Sequence, residues 1–363
     1  MPCLTRFFSC VNLLKEIRYN IVKEIKVEEA IGQVLGHDIT QIIPGVKKGP
    51  VFKKGHIIKE EDIPVLLSVG KEHVFVYELD ENMVHENDAA QILANLCGNE
   101  HMTHSEVSEG KIELFADCDG IFLVNNEKLK QINSFGQMMI ATRSSGFLVK
   151  KGDKLAGTRI IPLVIEKEKM DRVQKLIGDS KIMKVVPIKD KKFGLVVTGS
   201  EVYHGRIQDA FTPILVNKMK VYGAEMVEHT VCDDKPEKIT KAILDFLTKG
   251  VDLVLVTGGM SVDPDDKTPL AIKNTGARIV SYGAPVLPGA MFLLSYTNDN
   301  RAVLGLPGCV MYAKRTIFDL VIPRILADIP VDEQFLSKLG NGGLCLNCPV
   351  CIFPNCGFGK GGN

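Results

Sequence analysis

The chain has no excess of either charge: 44 Lys and Arg stand against 44 Asp and Glu in 363 residues. No broad basic field exists to gather nucleic acid or anionic lipid, although a local anion site is not excluded. The sequence also lacks any apolar run near the roughly 18 residues of a membrane span. The opening "MPCLTRFFSCVNLLKEIR" carries an Arg before a short apolar patch that Ser9, Cys10 and Asn12 interrupt. It has no small-residue cleavage site, so no signal peptide is expected and the cytoplasm is the expected compartment. Two nucleotide signatures are missing as well. "TGSEVYHG" is not the G-x-G-x-x-G turn of a nicotinamide site, and no G-x-x-x-x-G-K-[ST] occurs. Finally, Cys3, Cys10, Cys97, Cys118, Cys232 and Cys309 are scattered as reduced thiols are, not as a disulfide framework.

What is present is an ordinary globular composition, 45% apolar and 24% charged, over a length that implies two or three domains. Residues 1–20 read as an extension. Residues 21–80 read as a small α+β unit, with a helix-like piece from Val27 to Val34, an Asp62-capped helix bearing Pro64, and a strand Val74–Tyr77. Residues 81–190 read as a mixed, β-rich region with a hairpin-like turn at Gly152-Asp153. There Cys97, His101 and His104 could meet a metal, but exposed polar residues are the favoured reading.

From 191 to 330 the pattern becomes strand–helix alternation. Strands are expected at Phe193–Val197, Glu225–Val231 and Leu253–Val256, then near 278–282, 292–296 and 301–304. Between them fall a helix Thr212–Tyr222 ended by Gly223, and another with Asp234 as N-cap and Pro236 in its first turn. Thr268-Pro269 opens a third helix, and "GLPGCVMYAKRTIFDLVIPRILAD" begins a last one. Apolar strands separated by amphipathic helices predict an α/β fold, a doubly wound, mostly parallel sheet covered on both faces. Ligands of such sheets bind beyond the carboxyl ends of the strands.

Those ends are the unusual places. Leu253–Val256 runs into Gly258-Gly259 and then gathers Asp263, Asp265 and Asp266. The glycines suit close backbone approach to an anion, and the carboxylates suit Mg2+ held between protein and a substrate phosphate. A solvated turn ending in an N-cap is the plainer alternative.

Four ordered motifs, "VTGSEV…G.I.DA" at 197–210, "VCDD" at 231–234, "TGGMSVDPDDKTP" at 257–269 and "GLPG" at 305–308, resemble the molybdopterin-binding domain. Molybdopterin molybdenumtransferases and molybdopterin adenylyltransferases share that domain. The resemblance implies a pterin dithiolene phosphate, or its adenylate, lying across the crevice with Mg2+. In the molybdenumtransferase, molybdate is inserted at the dithiolene sulfurs and AMP is released. A binding or carrier protein without catalysis, and an adenylyltransferase using ATP, are the alternatives. By motif, the resemblance assigns catalytic roles to Glu201, Asp234 and Asp266, with Asp266 also a metal ligand. It assigns pterin binding to Thr198, Gly199, Asp233, Thr257, Gly258, Gly259, Ser261, Pro288, Gly305, Pro307 and Gly308. The segment departs from the family pattern at "PGAM" and "GLPGCV". Expected partners are the pterin and molybdate, a molybdoenzyme or cofactor-maturation protein, and further copies of the chain; nucleic acid and membrane are not expected.

Residues 331–363 form a Cys-rich tail. Cys345, Cys348, Cys351 and Cys356 crowd into a glycine-rich stretch with little apolar content. Thiolates at that spacing suit an iron–sulfur cluster or a structural Zn2+, with redox-active or unligated thiols as the alternative.

Overall fold

The computed structural model describes residues 22–361 apart from 44–46, 78–81, 262 and 265. The expected extension over residues 1–20 and the carboxylate Asp265 therefore lie outside the described residues.

The first unit closes on itself. Strands Val22–Lys26 and His73–Tyr77 pair antiparallel, and Ile39–Ile43 pairs with Lys47–Phe52. Val27, Leu35, Ile39, Ile58, Leu66, Val74 and Val76 make its core. The helix-like piece at 27–34 is only a 3-10 turn, Val27–Glu29. Asp62 precedes the helix Ile63–Ser68 but does not cap it. Its carboxylate instead accepts from Lys59 N–H at 2.9 Å and lies 2.6 Å from His56 Nε2, partners that outcompete the helix end.

Among the described residues the middle region holds three antiparallel sheets, of four, three and two strands, and the helices Glu86–Cys97, Asn126–Ser134 and Lys167–Ile177. The turn at Gly152-Asp153 joins Phe147–Val149 to Lys154–Ile160, but these strands do not form a hairpin. The first pairs with Gly120–Val124, the second with Lys111–Ala116 and Met138–Thr142. Cys97 is fully buried, and burial pushes its thiol up to about 12, the opposite of a metal-ready thiolate.

The third region carries a six-stranded sheet in the order Glu225–Cys232, Lys192–Thr198, Leu253–Thr257, Ala302–Leu306, Leu293–Tyr296, Arg278–Tyr282. The first four strands are parallel and the last two pairings antiparallel. Alternate residues face opposite layers, as the pleat requires. Leu195, Val197, Leu253, Leu255, Leu304 and Leu306 pack with Leu215, Met219, Phe318 and Val321. Val196, Val254, Val256 and Val303 pack with Ile239, Ile243, Phe246 and Ile272. The sheet is doubly wound, as its apolar strands require.

The expected last helix begins later than its sequence suggests. Gly308–Met311 is a 3-10 turn, and the helix runs Ile317–Leu326. Thr316 and Asp319 form a reciprocal capping box that fixes this start. Residues after 330 are not a loose appendage. Val331, Leu336, Leu339 and Phe358 join the core of the third region, and Phe147 reaches it from the middle region.

Candidate functional site

The register of the parallel strands decides where the motifs meet. Thr198 lies opposite Cys232, Val197 opposite Thr257, and Thr257 opposite Leu306. Four strand ends thus stand abreast, and the loops after them leave one edge of the sheet side by side. The chain runs from Lys192–Thr198 out to Glu225–Cys232, then crosses back to Leu253–Thr257. The crevice where strand order reverses is therefore flanked by the Gly199-Ser200 and Gly258-Gly259 turns, the place such sheets bind ligands.

A threonine pair closes the base of this crevice. The Thr268 hydroxyl donates to Gly258 O at 2.7 Å, and Thr198 Oγ1 lies 3.3 Å from Thr268 Oγ1. Both threonines are buried. Gly258 has φ +92°, and a Cβ there would lie 2.1 Å from Thr198 O. Only glycine fits this turn. Thr268 N–H donates to Gly259 O at 3.2 Å, so this amide is already bonded and is not a free anion donor. Thr257 Oγ1, by contrast, is buried with no partner.

The acids after the second strand have structural partners. Asp234 accepts from Ser200 N–H at 2.7 Å, and Asp233 accepts from Ser200 Oγ at 3.2 Å. Lys235 is the N-cap of the helix Pro236–Thr248, and Asp234 does not cap it. The Ser200 amide takes its carboxylate instead. Burial pushes the Asp233 carboxyl upward. The Ser200 hydroxyl, the Lys238 charge and the Asp234 amide outweigh burial and hold it below the usual range. Lys238 also sits over the Tyr203 ring, 4.8 Å from its centroid. Glu201 is exposed in the short helix Ser200–Tyr203.

Beyond the glycine pair, Ser261 is exposed and Asp266 half-buried. Tyr282, from the edge strand, donates to Met260 O at 3.1 Å and pins this loop. Burial and the neighbouring Asp266 carboxylate push the Tyr282 phenol up. Gly305 is buried within its strand, where a Cβ would lie 2.6 Å from the Met260 thioether, so it serves packing beneath the loop. Pro307 is buried and Gly308 exposed with open space where a Cβ would be. Pro288 lies in the loop that leaves the same edge after Arg278–Tyr282, and its carbonyl accepts from Ile317 N–H at 3.3 Å. Sequence reasoning missed Ser200, Lys238 and Tyr282. Only Ser200, inside the first motif, carried any local signal.

The tail cysteines meet elsewhere. Cys345, Cys348, Cys351 and Cys356 line one cavity of about 230 Å³, together with Lys314 and Arg315. All four are free thiols. A hydrogen bond from Phe353 N–H draws the Cys351 thiol below its ordinary value; burial opposes this, and the Arg315 contact adds to it. Among the described residues no three His, Cys, Asp or Glu side chains gather as ligands of one metal ion. An Mg2+ cage made of protein alone is therefore absent among them.

Residues 194–327 match the family model described as "Probable molybdopterin binding domain". This segment belongs to the molybdopterin-binding domain family. Residues 24–78 match a domain of unknown function (DUF8806). A CinA-like protein of Mycobacterium avium (strain 104) is 39% identical over 75 residues, 21% of this chain and 17% of the relative. One from Mycobacterium tuberculosis (strain ATCC 25177 / H37Ra) is 36% identical over 75 residues, again 21% of this chain and 17% of the relative. The match thus spans about a sixth of the length of these curated relatives. Among solved structures, the tungsten cofactor synthesizing protein MoaB from Pyrococcus furiosus aligns with 39% of this chain and 90% of its own, at 19% identity and TM-score 0.30. A molybdenum cofactor biosynthesis protein from the same organism aligns with 86% of this chain and 65% of its own, at 14% identity and TM-score 0.26. The family match supports a molybdenum-cofactor-related role for the molybdopterin-binding-type domain. No helix of the described residues is long and apolar enough to cross a membrane.

Proposed function

We propose that the C-terminal domain binds molybdopterin or its adenylate between the Gly199-Ser200 and Gly258-Gly259 turns, and inserts molybdate at the dithiolene with release of AMP. The observation that carries this reading is the register that sets Cys232, Thr198, Thr257 and Leu306 abreast where strand order reverses. The buried, unpartnered Thr257 hydroxyl supports it, because a ligand oxygen would satisfy that group. Ser200, held by Asp233 and Asp234, presents the first turn. Glu201 and Asp266 are the acids left for chemistry. Mg2+ on Asp266 would neutralise the substrate phosphate. The loaded pterin would pass to a molybdoenzyme or maturation protein.

One observation favours a second reading, a carrier that binds without catalysis. Asp233 and Asp234 are both engaged with Ser200, which leaves fewer acids than the family's chemistry uses. Incubating the full chain with adenylylated pterin, molybdate and Mg2+ separates the two. AMP release supports insertion. Tight binding without AMP release supports the carrier, and ATP consumption with unadenylylated pterin would instead identify an adenylyltransferase.

A further inference from the structure

We propose that Cys345, Cys348, Cys351 and Cys356 hold a four-iron–four-sulfur cluster in the cavity they line. The four cysteines fall within twelve residues and line one cavity of about 230 Å³, whose wall also includes Leu344, Leu346, Ile352, Phe353 and Phe358. A single zinc ion binds sulfur at about 2.3 Å and so draws four thiolates to roughly 3.8 Å of one another, leaving no cavity between them. These thiols are not gathered around a point: no three side chains of ligating type among the described residues are. Cysteines spread around a roomy cavity suit a polyatomic cluster, which four cysteine thiolates ligate.

The cavity is held open by contacts that need no metal. Phe358 is buried in the core of the third region, and Cys345 N–H donates to Leu287 O at 2.8 Å. Lys314 Nζ donates to Pro349 O at 2.8 Å and so ties down the segment between Cys348 and Cys351. The Arg315 guanidinium lies 4.8 Å from the Phe353 ring centroid. Lys314 thus places a positive charge beside a cluster whose thiolate ligands make it anionic, while Arg315 is shared with Asp319, 2.8 Å from its guanidinium. The four cysteines lie outside residues 194–327, while Lys314 and Arg315 of the wall lie within it; the pterin reading uses none of these six residues.

The test is iron, zinc and acid-labile sulfide analysis of the full chain purified without oxygen. The proposal expects about four iron and four sulfide per chain, with visible charge-transfer absorption. Cys348 and Cys351 are exposed, so the Cys348→Ser/Cys351→Ser variant keeps its fold by circular dichroism and loses iron and sulfide together. One zinc per chain without sulfide, or no metal after anaerobic reconstitution of the wild-type chain, would overturn the proposal. So would full iron and sulfide in the double variant.

Discussion

The Asp234 carboxylate accepts a 2.7 Å hydrogen bond from the backbone N–H of Ser200. The two residues follow different strands, so this bond locks the turn after Thr198 to the turn after Cys232. A hydrogen bond to a charged group contributes about 1.5–3 kcal/mol. Asp234→Ala is expected to free the Ser200 turn and weaken pterin binding by roughly tenfold, whereas Asp234→Asn keeps an acceptor and stays within a few-fold. Dissociation constants for both variants check this. Equal binding by the alanine variant would separate the Ser200 turn from the site.

The glycines divide into two kinds. At Gly258 an alanine meets both a φ of +92° and the Thr198 carbonyl, so Gly258→Ala is expected to lower the melting temperature by several degrees. At Gly308 there is open space, so Gly308→Ala is expected to melt near wild type. If Gly308 borders the ligand, its added methyl still weakens pterin binding. Melting curves beside binding isotherms resolve the pair; a Gly308→Ala protein that binds normally takes that residue out of the site.

Much of this architecture was legible in the sequence. Leu195 to Val197 and Leu253 to Val256 are apolar without interruption, and only strands buried on both faces read that way. Their ends were harder, because Thr198 and Thr257 look like loop residues until the parallel register extends the strands through them. Asp62 and Asp234 look like helix caps because local pattern cannot reveal a tertiary partner: His56 for one, Ser200, 34 residues earlier, for the other. Phe358 sits in "GFGKGG", where a lone aromatic has no periodicity to announce its burial. The four tail cysteines were conspicuous by spacing. The cavity between them was not, because Lys314 and Arg315 lie outside that stretch.

Acid should weaken the middle region through His85. Its Nδ1 accepts from Asn87 N–H at the start of the helix Glu86–Cys97 and also contacts Lys54. Burial lowers its pKa from 6.5 to about 4, against the opposing pull of Asp88. Between those values the unfolded chain holds a proton that the folded chain does not. His85 therefore lets stability rise with pH from about 4 to 6.5, and acid removes that contribution. Melting temperatures across this window, compared with His85→Gln, check the assignment. A wild-type slope no steeper than the variant's would contradict it.

Asp266→Asn is nearly isosteric and should leave folding and most pterin binding in place. It removes the charge that would hold Mg2+ against a substrate phosphate, so AMP release should fall on the order of a hundredfold or more. A turn residue with no metal role would tolerate Asn, and release would then be unchanged at every Mg2+ concentration.

The central claim is that the carboxyl edge of the six-stranded sheet is a pterin site, and titration of the full chain with molybdopterin and its adenylate, followed by calorimetry and pterin fluorescence, tests it most directly. The account predicts saturable binding of one pterin per chain, weakened by Asp234→Ala and by Gly308→Ala without loss of folding. Absence of saturable binding by the folded wild-type chain, or binding indifferent to both substitutions, would contradict it.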